Sequence, residues 1–149
     1  MKNLFRTTLL LFTIALFISC KQETVAIQNE YFAQSTDSIQ NGGVKVIPIT
    51  TPKGTFNVWT KRIGNNPKIK VLLLNGGPGA THEYFECFEN FLPPEGIEFI
   101  YYDQLGCGNA DNPNDTAMWD LARYVEEVEQ VRKALKLDNT NFYLLGHSW

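Results

Sequence analysis

Apolar residues along the chain fall into blocks with three different rhythms. Residues 44–51 (VKVIPITT) alternate apolar and polar positions, and 56–63 (FNVWTKRI) nearly do. Alternation with a period of two marks a strand with one wet face, and Pro52-Lys53-Gly54-Thr55 between the two runs supplies turn residues, so a β-hairpin is predicted. Asn65-Asn66-Pro67 closes it. Residues 69–74 (IKVLLL), 97–102 (IEFIYY) and 142–145 (FYLL) are short, largely unbroken apolar runs instead. Such runs fit strands buried on both faces, as in a parallel sheet.

The segments between those runs have helical spacing. Over residues 83–92 aromatic side chains recur at 84, 85, 88 and 91, and Pro93-Pro94 ends the pattern. The longest helix is predicted over 116–135. Leu121, Tyr124, Val125, Val128, Val131 and Leu135 form its apolar stripe, with Arg123, Glu126, Glu127, Glu129, Arg132 and Lys133 mostly opposite. Lys133 and Lys136 lie at its C-terminal end, where the helix dipole favours cations. A hairpin followed by strand–helix–strand–helix–strand is an α/β pattern. Right-handed crossovers then bring the loops after all three apolar strands to one sheet edge, where open α/β sheets bind ligands.

The N-terminus follows another rule. Lys2 and Arg6 precede an apolar run of 13 residues, 7–19, which as a helix rises about 20 Å against the roughly 30 Å of a bilayer core. A basic start, a short apolar stretch and a small residue before a cut define a secretory signal over 1–19. Phe17-Ile18-Ser19-Cys20 resembles the lipobox of bacterial lipoproteins, with Phe in place of the usual Leu. The expectation is a lipidated Cys20, a polar tether over 20–42, and a domain over 43–149 exported to the cell envelope and anchored to a membrane. A plain signal peptide or an uncleaved anchor is the alternative.

Composition changes this picture little. The chain has 149 residues, 44% hydrophobic and 19% charged, with a net charge of −3, which gives no reason to expect a nucleic-acid partner. Cys87 and Cys107 lack metal-site spacing; they read as small packing residues, with a disulfide between them the other possibility in an exported compartment.

Chemistry concentrates in the three loops. Gly146-His147-Ser148-Trp149 directly follows an apolar run, and a Gly two residues before a Ser in that place begins a nucleophile elbow. An ordinary Ser-capped helix start would look the same over so short a stretch. Asn75-Gly76-Gly77-Pro78-Gly79 follows an earlier strand, where backbone amides can approach a substrate without an intervening side chain. A plain turn is the bland reading; a phosphate cradle lacks its Lys-Ser/Thr pair or GxGxxG spacing.

Gly76-Gly77-Pro78-Gly79, Asp103-Gln104-Leu105-Gly106-Cys107-Gly108 and Gly146-His147-Ser148-Trp149, in that order, resemble the proline iminopeptidases, exopeptidases of the α/β-hydrolase fold. The resemblance runs from about Gly43 to Trp149. It implies a partial α/β-hydrolase fold reaching as far as the elbow, with Ser148 as nucleophile. It also implies an oxyanion hole from the amides of Gly77 and Trp149, with Gly76 not separable from Gly77. Neither a cofactor nor a metal is implied, and the substrate would be a peptide with a free N-terminus. The family usually carries His where this chain has Asn75, a position that shapes the loop. In this fold the triad runs Ser, then Asp or Glu, then His. Asp103 therefore reads as a loop brace, while His82 and His147, the two histidines present, are not the general base. The activity implied for a full-length protein is release of N-terminal proline or other residues, with residues 1–149 alone inactive. An esterase of the same fold and a non-catalytic surface lipoprotein that binds ligands are the rival readings.

Overall fold

A computed structural model describes residues 41–148. The predicted signal over 1–19, Cys20, the tether up to residue 40 and Trp149 lie outside the described residues. The described chain runs β1 (Asn41–Thr51), β2 (Gly54–Ile63), β3 (Lys70–Leu74), a 3₁₀ helix (His82–Asn90), a short 3₁₀ turn (Pro93–Glu95) and β4 (Glu98–Asp103). A second 3₁₀ turn (Thr116–Met118), the α-helix α1 (Leu121–Ala134) and β5 (Phe142–Gly146) complete it.

One five-stranded sheet holds all the strands, in the order β1-β2-β4-β3-β5. β1 and β2 form the predicted hairpin, β2 joins β4 antiparallel, and β3 lies parallel to both β4 and β5. The three apolar runs thus pair in parallel, but the expected burial on both faces fails for β5: it is an edge strand of the described sheet, with Tyr143 and Leu144 more than half exposed. β1 starts at Asn41, slightly inside the stretch assigned to the tether, and its register shifts between Asn41 and Val44. Gly42 is needed there: a Cβ would come within 2.7 Å of the Arg62 Nε and 2.8 Å of its carbonyl oxygen.

β4 shows how the layers are built. All six of its residues are buried, and successive side chains point to opposite faces. Tyr101 donates to Glu89 of the 3₁₀ helix at 3.0 Å, whereas Tyr102 donates to Glu127 of α1. The sheet is therefore sandwiched between the two. On the 3₁₀ side Ile63, Leu73, Phe85, Phe99 and Tyr101 form a continuous core.

Two helical expectations change. The segment after the glycine loop is a 3₁₀ helix; it ends at Asn90, before Pro93-Pro94, and those prolines open a further short 3₁₀ turn. Side chains three apart eclipse in a 3₁₀ helix, which sets Phe88 over buried Phe85 with ring centroids 5.6 Å apart. Spacings of three and four residues do not separate this from an α-helix. The helix predicted over 116–135 is split, because Asp115 caps the Thr116–Met118 turn through the Ala117 amide and Asp120 caps α1 through the Arg123 amide.

The apolar stripe of α1 is also only half covered. Tyr124, Val131 and Leu135 are buried, while Leu121 is 69% and Val125 63% exposed. Leu121, Val125 and Val128 line an open apolar cleft of about 360 Å³ with Leu74, Asn75, Gln104, Tyr124 and Leu144. Glu127, placed on the wet face by periodicity, is 1% exposed. It accepts hydrogen bonds from the Tyr102 hydroxyl, the Leu105 amide and the Arg123 guanidinium. The first two donors come from β4 and the loop after it and the third from one turn earlier in α1, and together they make a buried carboxylate tolerable.

Candidate active site

β3 and β5 end side by side, with Leu74 in register with Gly146. The glycine loop and the Gly146-His147-Ser148 segment therefore leave the sheet as neighbours at its C-terminal edge. The His147 amide continues the pairing for one step, donating to the Leu74 carbonyl at 3.2 Å. At Ser148 the chain turns sharply: φ is +71°, a left-handed conformation unusual for any residue but glycine. Ser148 is exposed at this edge. An elbow of that kind holds a hydroxyl out of the sheet at a cost of roughly 1–3 kcal/mol in backbone strain.

Gly76 lies directly against the turn. A Cβ there would fall 2.6 Å from the His147 carbonyl oxygen, 2.7 Å from the Ser148 Cβ and 3.3 Å from its Oγ. Only glycine lets the two loops approach this closely. The amides of Gly76 and Gly77, inseparable by sequence, have different surroundings. The Gly76 N–H donates to the Tyr84 hydroxyl at 2.7 Å. That of Gly77, where φ is +128°, makes no hydrogen bond among the described residues. Trp149, the other expected donor, lies outside the described residues.

The glycine loop is tied down along its length. The Asn75 side chain donates to the Ala80 carbonyl, and the Ala80 amide donates to the Gly76 carbonyl at 3.3 Å. Asn75 is buried and closes the loop on itself, which suits the loop-shaping part its position implied. From the adjacent β4 loop the Gln104 Nε2 donates to the Asn75 carbonyl at 3.4 Å.

Asp103 is the brace expected of it. It is completely buried and accepts from the His82 amide at 3.0 Å, the Asn109 amide at 3.0 Å and the Asn109 Nδ2 at 3.1 Å. The His82 Nδ1 lies 2.8 Å from the same carboxylate. The His82 ring also stacks on Trp59 at 4.6 Å, so this histidine is committed to packing beside the carboxylate. His147 turns its ring toward Tyr84 and Phe85, at 5.1 and 6.4 Å between centroids. Neither histidine is held toward Ser148, in line with their dismissal as general base.

The cysteines divide. Both are free; Cys107 is buried and Cys87 exposed, so the packing role holds for Cys107 and fails for Cys87, which sits on the outer face of the 3₁₀ helix. Burial pushes the Cys107 thiol pKa up, against a hydrogen bond from the Gly79 backbone. Tyr84, which sequence reasoning passed over as one of a row of aromatic core residues, contacts both loops through its hydroxyl and its ring. The available signal was a phenol, not a phenyl ring, in the first turn after the glycine loop.

A parallel strand that breaks at a left-handed serine beside a glycine loop defines a class. The profile of that class, the alpha/beta hydrolase fold, matches residues 70–149, and the chain belongs to this family. Within it the kinship is narrower. Over 104 residues the chain is 68% identical to the proline iminopeptidase of Chitinophaga pinensis and 64% identical to that of Elizabethkingia meningoseptica, covering 70% of this chain and 35% of each relative. The crystal structure of a Mycobacterium smegmatis proline iminopeptidase superposes with a TM-score of 0.62 at 27% identity, covering 72% of this chain and 36% of that one. The sequence is thus a partial member of the proline iminopeptidase family, spanning about a third of the length of the curated relatives it matches.

Proposed function

We propose that this segment supplies the nucleophile and the oxyanion-hole amides of a serine exopeptidase that releases N-terminal residues, proline among them, from peptides. One observation carries the reading: Ser148 stands exposed at a left-handed turn with Gly76 packed on its side chain, in a chain of the proline iminopeptidase family. In the proposed reaction the Ser148 Oγ attacks the carbonyl carbon of the N-terminal residue. Negative charge gathers on the carbonyl oxygen, where the Gly77 amide, unengaged among the described residues, and the amide of Trp149 stabilise it. The Oγ proton passes to a histidine from the part of the longer protein outside this sequence, oriented there by an acidic residue, and then to the departing amine as the C–N bond breaks. Water cleaves the resulting ester. Asp103 and Glu127 hold the loop after β4 and take no part in proton transfer.

The test is turnover of a proline arylamide by the longer protein and by its Ser148→Ala variant. Activity that disappears with the hydroxyl, and is absent from residues 1–149 alone, agrees with the proposal. Turnover that survives Ser148→Ala contradicts it. The proposal extends to location on sequence grounds: with a lipobox-like Phe17-Ile18-Ser19-Cys20, the enzyme is a lipoprotein of the cell envelope. Inhibition of lipoprotein signal peptidase then leaves a larger precursor; an unchanged mobility removes the anchor.

A further inference from the structure

The glycine loop and the elbow come from separate strands, and the position of one relative to the other decides whether an amide meets the reacting oxygen. Most of the ties on the loop run inward or toward β4: Asn75 to Ala80, Ala80 to Gly76, Gln104 to Asn75, and His82 to Asp103. Tyr84 is different. Its hydroxyl accepts the Gly76 amide proton at 2.7 Å, and its ring lies 5.1 Å from the His147 ring, on the residue next to Ser148. Its ring also leans on buried Phe85 at 4.3 Å, which anchors it to the core. One side chain thus touches both halves of the site from a third element.

We infer that Tyr84 is a positioning residue for the oxyanion hole, an inference that rests on the reading of Ser148 as nucleophile. The physical argument has two parts. A backbone N–H can point at a substrate oxygen or at a phenol oxygen, not well at both. By engaging the Gly76 amide, Tyr84 fixes the Asn75–Gly76 peptide plane, the one before the plane that carries the Gly77 N–H, and leaves the Gly77 amide as the loop's donor. Gly76 has no side chain to limit its backbone torsions, and glycine loops are conformationally permissive; without the phenol that plane keeps only the 3.4 Å hydrogen bond from Gln104 to the Asn75 carbonyl. The ring contact with His147 then ties the held loop to the elbow.

The experiment compares wild type, Tyr84→Phe and Ser148→Ala in the longer protein, using a proline arylamide and thermal unfolding. Tyr84→Phe keeps the ring against His147 and Phe85 and removes only the acceptor. The expected result is a fall in kcat of about tenfold to a hundredfold, as for misplaced catalytic groups generally, with KM within about twofold. A fall in thermal stability with kcat intact overturns the positioning role, since that is what a merely structural hydroxyl would give. Ser148-dependent turnover that Tyr84→Phe leaves at the wild-type rate overturns it likewise. Turnover that persists in Ser148→Ala overturns the nucleophile reading beneath it and is recognised independently of the Tyr84 result.

Discussion

Replacing Gly76 by alanine adds one methyl group at the place where the glycine loop meets the elbow. That methyl would lie 2.7 Å from the Ser148 Cβ and 2.6 Å from the His147 carbonyl oxygen. Carbon atoms in contact normally sit about 3.5–4.0 Å apart, so loop and elbow must separate by roughly 1 Å. The neighbours cannot yield by a rotamer change, since one is a backbone oxygen and the other a Cβ fixed by the backbone of a strained turn. A misplacement of about 1 Å costs on the order of 100-fold in rate, equivalent to ~2.7 kcal/mol in activation free energy. Overpacking adds about 1–3 kcal/mol of lost stability. The assay is the second-order rate of fluorophosphonate labelling of the longer protein, read beside its thermal midpoint. Gly79→Ala is the control: it meets no atom within 4 Å, yet at φ +108° it carries backbone strain. Gly76→Ala should label about 100-fold more slowly than wild type, and Gly79→Ala should lose stability with a much smaller effect on labelling. Wild-type labelling by a folded Gly76→Ala protein would refute the close approach of the two loops.

Two further predictions concern buried charge. Lys70 and Glu98 form a buried ion pair at 2.8 Å between β3 and β4, at the end of the sheet opposite the site. Removing one partner by Lys70→Met should cost about 3–5 kcal/mol, whereas the double change with Glu98→Leu should cost far less, by urea unfolding. Burial already raises the Glu98 pKa, and the Lys70 hydrogen bond and charge, with the charge of Arg62, oppose that rise. With Lys70 gone, the native state binds a proton over a wider range above the carboxylate's ordinary 4.5, so the variant's stability should fall as pH climbs from there. A flat pH profile would count against it. Asp103→Ala strands four donor groups on His82 and Asn109. Asn109 is exposed and can turn its donors to water, so the cost falls on the two half-buried His82 groups; at about 1–3 kcal/mol for each donor left unsatisfied, a loss of at least ~2 kcal/mol is expected, while a change under 1 kcal/mol would show the brace to be dispensable.

Local pattern carried the fold where burial is continuous and ran out where it is not. The runs around Leu72 and Ile100 read as parallel strands because both faces of such strands are buried; the run around Leu144 pairs in parallel as well, but at the sheet's edge, where Tyr143 and Leu144 stay exposed. The sharp turn at Ser148 was legible because Gly146 and an apolar strand precede it. Lys70 and Glu98 were absorbed into those runs without comment. Their opposite charges at the second position of two of these runs, which are the first residues of β3 and β4, match the pairing that the register shows. Glu127 was misassigned because helical periodicity sees one element at a time. Its donors, Tyr102 and Leu105, belong to β4 and its loop. Conversely, Leu121 and Val125 satisfy the apolar period of α1 yet stay exposed beside the cleft. Periodicity names the face of a helix, not how much of it the rest of the chain covers. The difference between Gly76 and Gly77 was out of reach for the same reason, since it depends on where Tyr84 places its hydroxyl.

The most direct test of the site is a crystal structure of the longer protein phosphonylated by an active-site-directed fluorophosphonate. The adduct should sit on the Ser148 Oγ, with the phosphoryl oxygen about 2.7–3.1 Å from the Gly77 nitrogen, as an oxyanion donor requires, and the Gly76 amide still on Tyr84. An adduct on another residue, or a phosphoryl oxygen directed away from the glycine loop, would contradict the assignment.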